Sequence, residues 1–109
     1  MKARVQSDLM ALMLATRSRL LSINQDIRIM TGLGRKKTTV YQDLIKARKA
    51  TDRILNRSKI LSSKLNQNQE YLVLIRDEVN DLRRQYLTAQ IPDITGVKQE
   101  TLGTTRPIY

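Results

Sequence analysis

An all-α fold carried by one long heptad helix is what this sequence predicts, and three observations predict it. Apolar residues through the middle of the chain recur in alternating steps of four and three, the spacing of a helix seam. There is no Phe, Trp or Cys, and all four aromatics are Tyr. Large rings supply much of the buried area of a compact core, so long helices of Leu, Ile, Val, Met and Ala fit this composition better. Both prolines, Pro92 and Pro107, lie near the C-terminus, leaving the preceding chain free of the strongest helix breaker.

The first element occupies 1–34. Val5, Leu9, Leu12, Leu20, Ile23, Ile27 and Met30 fall on one helical face, with Thr16 filling the gap, and Met13 and Leu14 are expected to broaden that face. Thr31-Gly32-Leu33-Gly34 should end it, because glycine accepts the left-handed conformation of a helix C-cap. Gly-Leu-Gly is too short for a phosphate-binding loop. Arg4, Arg17 and Arg19 accompany only Asp8 before Leu21, which is also the composition of a mitochondrial presequence. The apolar stripe runs on past Leu21, as a folded helix requires.

Residues 35–38 form a basic connector, and Thr39 with Gln42 has the spacing of a capping box. A second helix is therefore expected over 39–91. Its seam runs through Val40, Leu44, Ala47, Thr51, Ile54, Ser58, Leu61, Leu65, Asn68, Leu72, Ile75, Val79, Leu82, Tyr86 and Ala89. A repeat held at 3.5 residues winds a left-handed coiled coil, here a rod of about 75 Å. Lys49, Asn56, Ser63, Glu70, Asp77 and Arg84 lie opposite and are all polar. Thr51, Ser58 and Asn68 weaken the seam and are candidates for fixing register. Ile91-Pro92 ends the helix, since proline disfavours helix in the residue before it. Residues 92–109, with Gly96, Gly103 and Pro107, read as an extended tail.

Length adds a constraint. A hairpin folded at 32–38 covers the seam from Val40 to about Leu65. The stretch from Leu65 to Ala89 then needs another partner: a second copy or a different coiled-coil protein.

The net charge is +10, which favours acidic partners: nucleic acid, an anionic membrane or an acidic protein surface. Arg35, Lys36, Lys37, Lys46, Arg48, Lys49, Arg53, Arg57, Lys59 and Lys64 face only Asp43 and Asp52 within thirty residues. A merely solvated basic helix would look the same, but a rod charged at one end suggests an acidic-surface contact there. Ile45, Ile60, Val73, Leu74 and Leu87 lie off the seam, and the last three are candidate lateral partner contacts.

Catalysis is not expected. The chain has no His and no Cys, so the common general base, thiol nucleophile and soft metal ligands are missing. Asp77, Glu78 and Asp81 read as a solvated helix face. No cofactor is expected, and no apolar run is long enough to span a membrane.

The stretch Arg76-Asp77-Glu78-Val79-Asn80-Asp81-Leu82-Arg83-Arg84-Gln85-Tyr86, then Ile91-Pro92-Asp93 and Val97-Lys98-Gln99-Glu100, resembles coiled-coil proteins of ciliary and flagellar axonemes. In that family a heptad helix ends near a Leu-Arg pair, breaks at a proline and resumes. The resemblance implies a structural, microtubule-associated role in the cytoskeleton, on doublet microtubules, whose tubulin surface is acidic. A nucleic-acid-associated protein, such as a ribosomal or mitochondrial-ribosomal component, is the alternative on charge. Against it, the cations lack interleaved aromatics for base stacking and lie inside the heptads rather than before them.

Overall fold

The computed structural model describes residues 1–67 and 70–99, and every regular element among them is helical. Three helices follow in order: α1 over Lys2–Gly32, α2 over Thr39–Gln67 and α3 over Leu72–Thr88. They pack side by side in a body of 66 × 27 × 20 Å, a cross-section that suits three helices each about 10 Å wide.

The first turn is closed as the glycines suggested. Gly34 takes φ +70°. The Arg35 N–H donates to the Met30 carbonyl at 2.9 Å and the Gly34 N–H to Thr31 at 3.0 Å. These paired bonds are a Schellman motif, which satisfies two carbonyls that the helix end would leave free. The N-terminus of α2 is capped one residue earlier than the Thr39–Gln42 spacing implied. Thr38 Oγ1 accepts from the Tyr41 N–H at 3.2 Å, and Gln42 Nε2 donates to the Lys36 carbonyl at 3.3 Å.

The helix expected over 39–91 is two helices. α2 stops at Gln67 and α3 starts at Leu72; the expected seam residue Asn68 lies outside the described residues. From Asn66 to Glu70 the chain has five consecutive polar residues, two of them Asn, whose amides compete with the helix for backbone groups. The sequence of that stretch contains no apolar residue with which to hold a helix to a neighbour.

The three helices run up, down and up. Gln6 Nε2 donates to Asn66 Oδ1 at 3.4 Å, joining the start of α1 to the end of α2. α3 then returns along both: Glu78 meets Arg57 of α2, and Arg83 lies 3.6 Å from Asp8 of α1. Val5, Leu9 and Leu12 of α1 thereby share one core cluster with Ile54, Leu61 and Leu65 of α2 and Ile75, Val79 and Leu82 of α3. The seam from Leu65 onward is covered by the chain itself, not by a second molecule.

A second cluster joins Ile23, Ile27 and Met30 to Leu44, Ala47 and Ile94. Between the clusters in sequence lie buried Thr16 and Thr51. Their hydroxyls donate to the carbonyls of Leu12, at 2.5 Å, and Ala47, at 2.7 Å, within their own helices. Ser58 does the same to Ile54 at 2.7 Å. These polar seam residues are self-satisfied, so no hydrogen bond to another strand follows from them.

α3 ends at Thr88, before Ile91. Pro92 has no N–H to offer the Thr88 carbonyl, and Ile91 before it is held out of the helical region. The segment after it is not the uniformly extended tail expected over 92–109. Ile94 is buried, and residues 95–99 turn helical. Asp93 Oδ1 accepts from the Thr95 N–H at 2.9 Å, and the Lys98 N–H reaches the Ile94 carbonyl at 3.0 Å. Lys98 Nζ lies 2.9 Å from the largely buried carboxylate of Asp26, an ion pair by distance rather than an aligned hydrogen bond. Residues 100–109 of the expected tail lie outside the described residues.

Candidate docking surface

The basic block spans the α1–α2 connector and most of α2, and its members have separate fates. Lys36, Lys37, Lys46, Lys49, Arg53, Lys59 and Lys64 are exposed, whereas Arg35, Arg48 and Arg57 are half-buried. Arg57 is committed within the fold: its guanidinium engages both carboxylate oxygens of Glu78. That bond holds the Glu78 carboxyl below its ordinary range, against the opposing effect of burial. A bidentate arginine–carboxylate pair has its geometry fixed, so Arg57 serves the α2–α3 packing.

Lys46, Lys49, Arg53 and Lys64 share one flank of α2, because their spacings of three, seven and eighteen each bring a residue back near the same angle. The core face of that helix is Leu44, Ala47, Thr51, Ile54, Leu55, Ser58, Leu61 and Leu65, so the cations point to solvent. Ile60 is exposed on the same side. The outcome is a cationic ridge about 27 Å long with an aliphatic residue set within it. Lys59 and Arg48 sit on the other flank, with Asp52 between them in sequence.

The predicted seam is the core in phase if not in continuity. Leu44, Ile54, Leu61, Leu65, Ile75, Val79 and Leu82 are buried, Leu72 is half-buried and packs on the core, and Val40 is exposed at the start of α2. Tyr86 also packs there. The Arg19 guanidinium stacks 3.5 Å from the centre of its ring, and Arg19 donates to the Tyr86 carbonyl at 2.6 Å. This carbonyl is one of the last in α3, where a cation is favoured. In the sequence Arg19 counts only toward the presequence-like composition before Leu21, and Tyr86 on the seam is the one signal of this contact.

The three lateral aliphatics are exposed but do not form one face. Leu74 borders a groove between α2 and α3 with Arg57, Lys64 and Tyr71. Leu87 borders the groove between α1 and α3 with Ala11 and Ala15. Val73 and Leu74 are successive residues, and successive residues on a helix point about 100° apart. Ile45, expected to be exposed, packs against the second core cluster. Leu14, expected on the core face of α1, is exposed.

Among the described residues, no cluster of His, Cys, Asp or Glu is placed to hold a metal ion, and no helix is long and apolar enough to cross a membrane. No protein-family model, curated protein or solved structure matches the chain.

Proposed function

We propose that the protein is a non-enzymatic structural component of a larger assembly, docking through the α2 ridge onto an acidic protein surface. The observation that carries this reading is the ridge itself. Lys46, Lys49, Arg53 and Lys64 stand on the solvent side of a helix whose opposite face is buried; among the described residues none of the four is in a salt bridge, although Lys64 lies near enough to Glu78 to help hold that carboxyl down. Ile60 adds an apolar contact of a kind that a protein surface can use and a phosphate backbone cannot.

The acidic surface implied by the resemblance is tubulin in an axonemal doublet microtubule, and other coiled-coil proteins are the expected neighbours there. Two features accord with that assignment. The helix ends at Thr88, the chain passes Pro92 and residues 95–99 turn helical, a shorter resumption than the long helix that follows the break in the family it resembles. The three helices also form a short rod, a shape suited to a repeating lattice.

Co-sedimentation with polymerised tubulin tests the reading, with duplex DNA and RNA assayed in parallel. The protein should pellet with microtubules in a salt-sensitive manner. Lys46→Glu, Lys49→Glu and Arg53→Glu together should abolish pelleting while the helical circular-dichroism signal is retained. Replacement of Ile60 by Asn should weaken microtubule binding and leave duplex binding unchanged. Tight duplex binding without microtubule binding would contradict the proposal in favour of a nucleic-acid role.

A further inference from the structure

The two turns of the bundle are specified unequally. The α1–α2 turn is fixed at both ends. Gly34 takes φ +70°, a Schellman pair closes α1, and Thr38 Oγ1 accepts from the Tyr41 N–H at 3.2 Å. The α2–α3 connection, residues 68–71, contains neither glycine nor proline. Tyr71 stands at the N-cap of α3 and makes no side-chain cap hydrogen bond, and tyrosine lacks the short polar side chain that caps helices. Local sequence therefore gives α3 little reason to begin where it does.

Nor does the core supply one. Leu65 and Leu72 are one heptad apart, so Leu61, Leu65, Ile75, Val79 and Leu82 of the buried cluster keep a single heptad phase across the connection. A folded-back α3 and a straight continuation of α2 would bury the same residues. What the straight form lacks is a partner, because its α3 leaves α1 and α2 behind. A second copy of the chain supplies that partner by construction.

The contacts that hold α3 run to α1 and α2, and each can equally be made to another copy. Glu78 engages Arg57, Arg83 lies 3.6 Å from Asp8, and the Arg19 guanidinium sits 3.5 Å from the centre of the Tyr86 ring. The segment after Pro92 travels with α3. Ile94 in the second core cluster and the Lys98–Asp26 ion pair at 2.9 Å are therefore exchanged as well. Since the same contacts form in either state, concentration and the preference of the connection decide between them. α3 itself is balanced, with Arg76, Arg83 and Arg84 against Asp77, Glu78 and Asp81. The repulsion between two chains of +10 charge resides elsewhere and is screened by salt.

We infer that the chain has a second folded state, a domain-swapped homodimer populated at high concentration. In it α2 and α3 run as one rod of about 75 Å, and the α3 of each copy packs on α1 and α2 of the other. Because α3 is antiparallel to α2 in the monomer, the two rods lie antiparallel about a twofold axis near the connection. The dimer carries two α2 ridges and can engage a repeating surface at two points. That consequence rests on the acidic-surface reading, whereas the exchange itself does not.

The test uses the full chain, refolded from denaturant at rising protein concentration, with monomer and dimer separated by size-exclusion chromatography. The chain has no cysteine, so Asp43→Cys with Gln90→Cys carries two spin labels, and the labelled chain is diluted into excess unlabelled chain. In the monomer fraction the labels should lie under about 25 Å apart. In the dimer fraction they should lie about 70 Å apart within one chain. A dimer with the short separation would be a side-by-side pair and would overturn the exchange, as would a protein that stays monomeric at every concentration. Tyr71→Asp installs a cap for α3 and should lower the dimerisation constant at least about tenfold. Tyr71→Ala suits the interior of a straight helix and should raise it at least about tenfold. Salt should favour the dimer, the reverse of its effect on ridge docking. Equal dimer fractions in the two Tyr71 variants would contradict the inference.

Discussion

α1 and α2 are 31 and 29 residues long and lie against one another, yet they meet solvent in opposite ways. The outward side of α2 is lysine and arginine. The outward side of α1 includes Met10, Leu14 and Leu21, each at least 60% exposed. Their inward faces are alike in being aliphatic with a buried threonine, Thr16 or Thr51, although α1 also buries Asp26 and α2 Ser58. The larger difference between the two helices is on their outward sides.

The largest expected effect separates inward from outward leucines. Leu9→Ala and Leu44→Ala remove fully buried side chains and should each cost about 2–5 kcal/mol by denaturant unfolding. Leu14→Ala and Leu21→Ala should stay within about 0.5 kcal/mol, as exposed positions do. Equal losses at Leu14 and Leu9 would mean that the outer line of α1 is already covered within the protein.

Next in size is the segment after α3. Ile94 is 2% exposed and closes the second core cluster, so Ile94→Ala should cost about 2 kcal/mol. A neutral result would return this segment to the status of a loose tail.

The Arg57–Glu78 pair should matter less, because both side chains remain a third or more exposed. Glu78→Gln should cost on the order of 0.5 kcal/mol after allowance for solvent screening. The sign of its pH dependence is fixed. The Glu78 carboxyl is held below its ordinary value by the Arg57 hydrogen bond. Its contribution is thus present above the unfolded-state value, about 4.3, and fades as pH falls through the lower folded-state value. The wild-type advantage over Glu78→Gln should shrink in acid; an advantage that grows there would refute the assignment.

The smallest effect concerns the seam hydroxyls. Among the described residues the Ser58 hydroxyl bonds the carbonyl of Ile54 in its own helix, so Ser58→Ala should be near neutral. A marked change in oligomeric state would restore a register-fixing role to that position.

Much of this fold is legible in the sequence, for a definite reason. Helix phase is fixed by which residues are apolar, and the seam from Leu44 to Leu82 supplies most of the core of α2 and α3. The break at 66–71 is less visible because phase survives it: the apolar line resumes at Leu72 in the same heptad register, so a straight helix and a folded-back pair share one pattern. The discriminating signal was the five-residue polar run from Asn66 to Glu70, together with a seam too long for α1 to cover alone. The candidate surfaces were legible as composition but not as geometry. Arg57 counts as a cation in the sequence yet is bound to Glu78 in the fold. Val73, Leu74 and Leu87 share a character, but Leu74 points away from the side that Val73 and Leu87, two heptads apart, have in common. Leu14 lies two residues beyond Leu12, which places it on the far side of the helix.

The central claim about the fold is that α3 folds back along α1 and α2 instead of extending α2. The chain has no native cysteine, so Asp43→Cys with Gln90→Cys gives two unique sites for spin labels. Both residues line one groove between α2 and the segment after α3, and adjacent helices lie 8–10 Å apart. Electron–electron resonance should therefore return label separations under about 25 Å, allowing for the label arms. A continuous helix between the two positions would place them about 70 Å apart, and a distribution centred there would contradict the folded-back bundle.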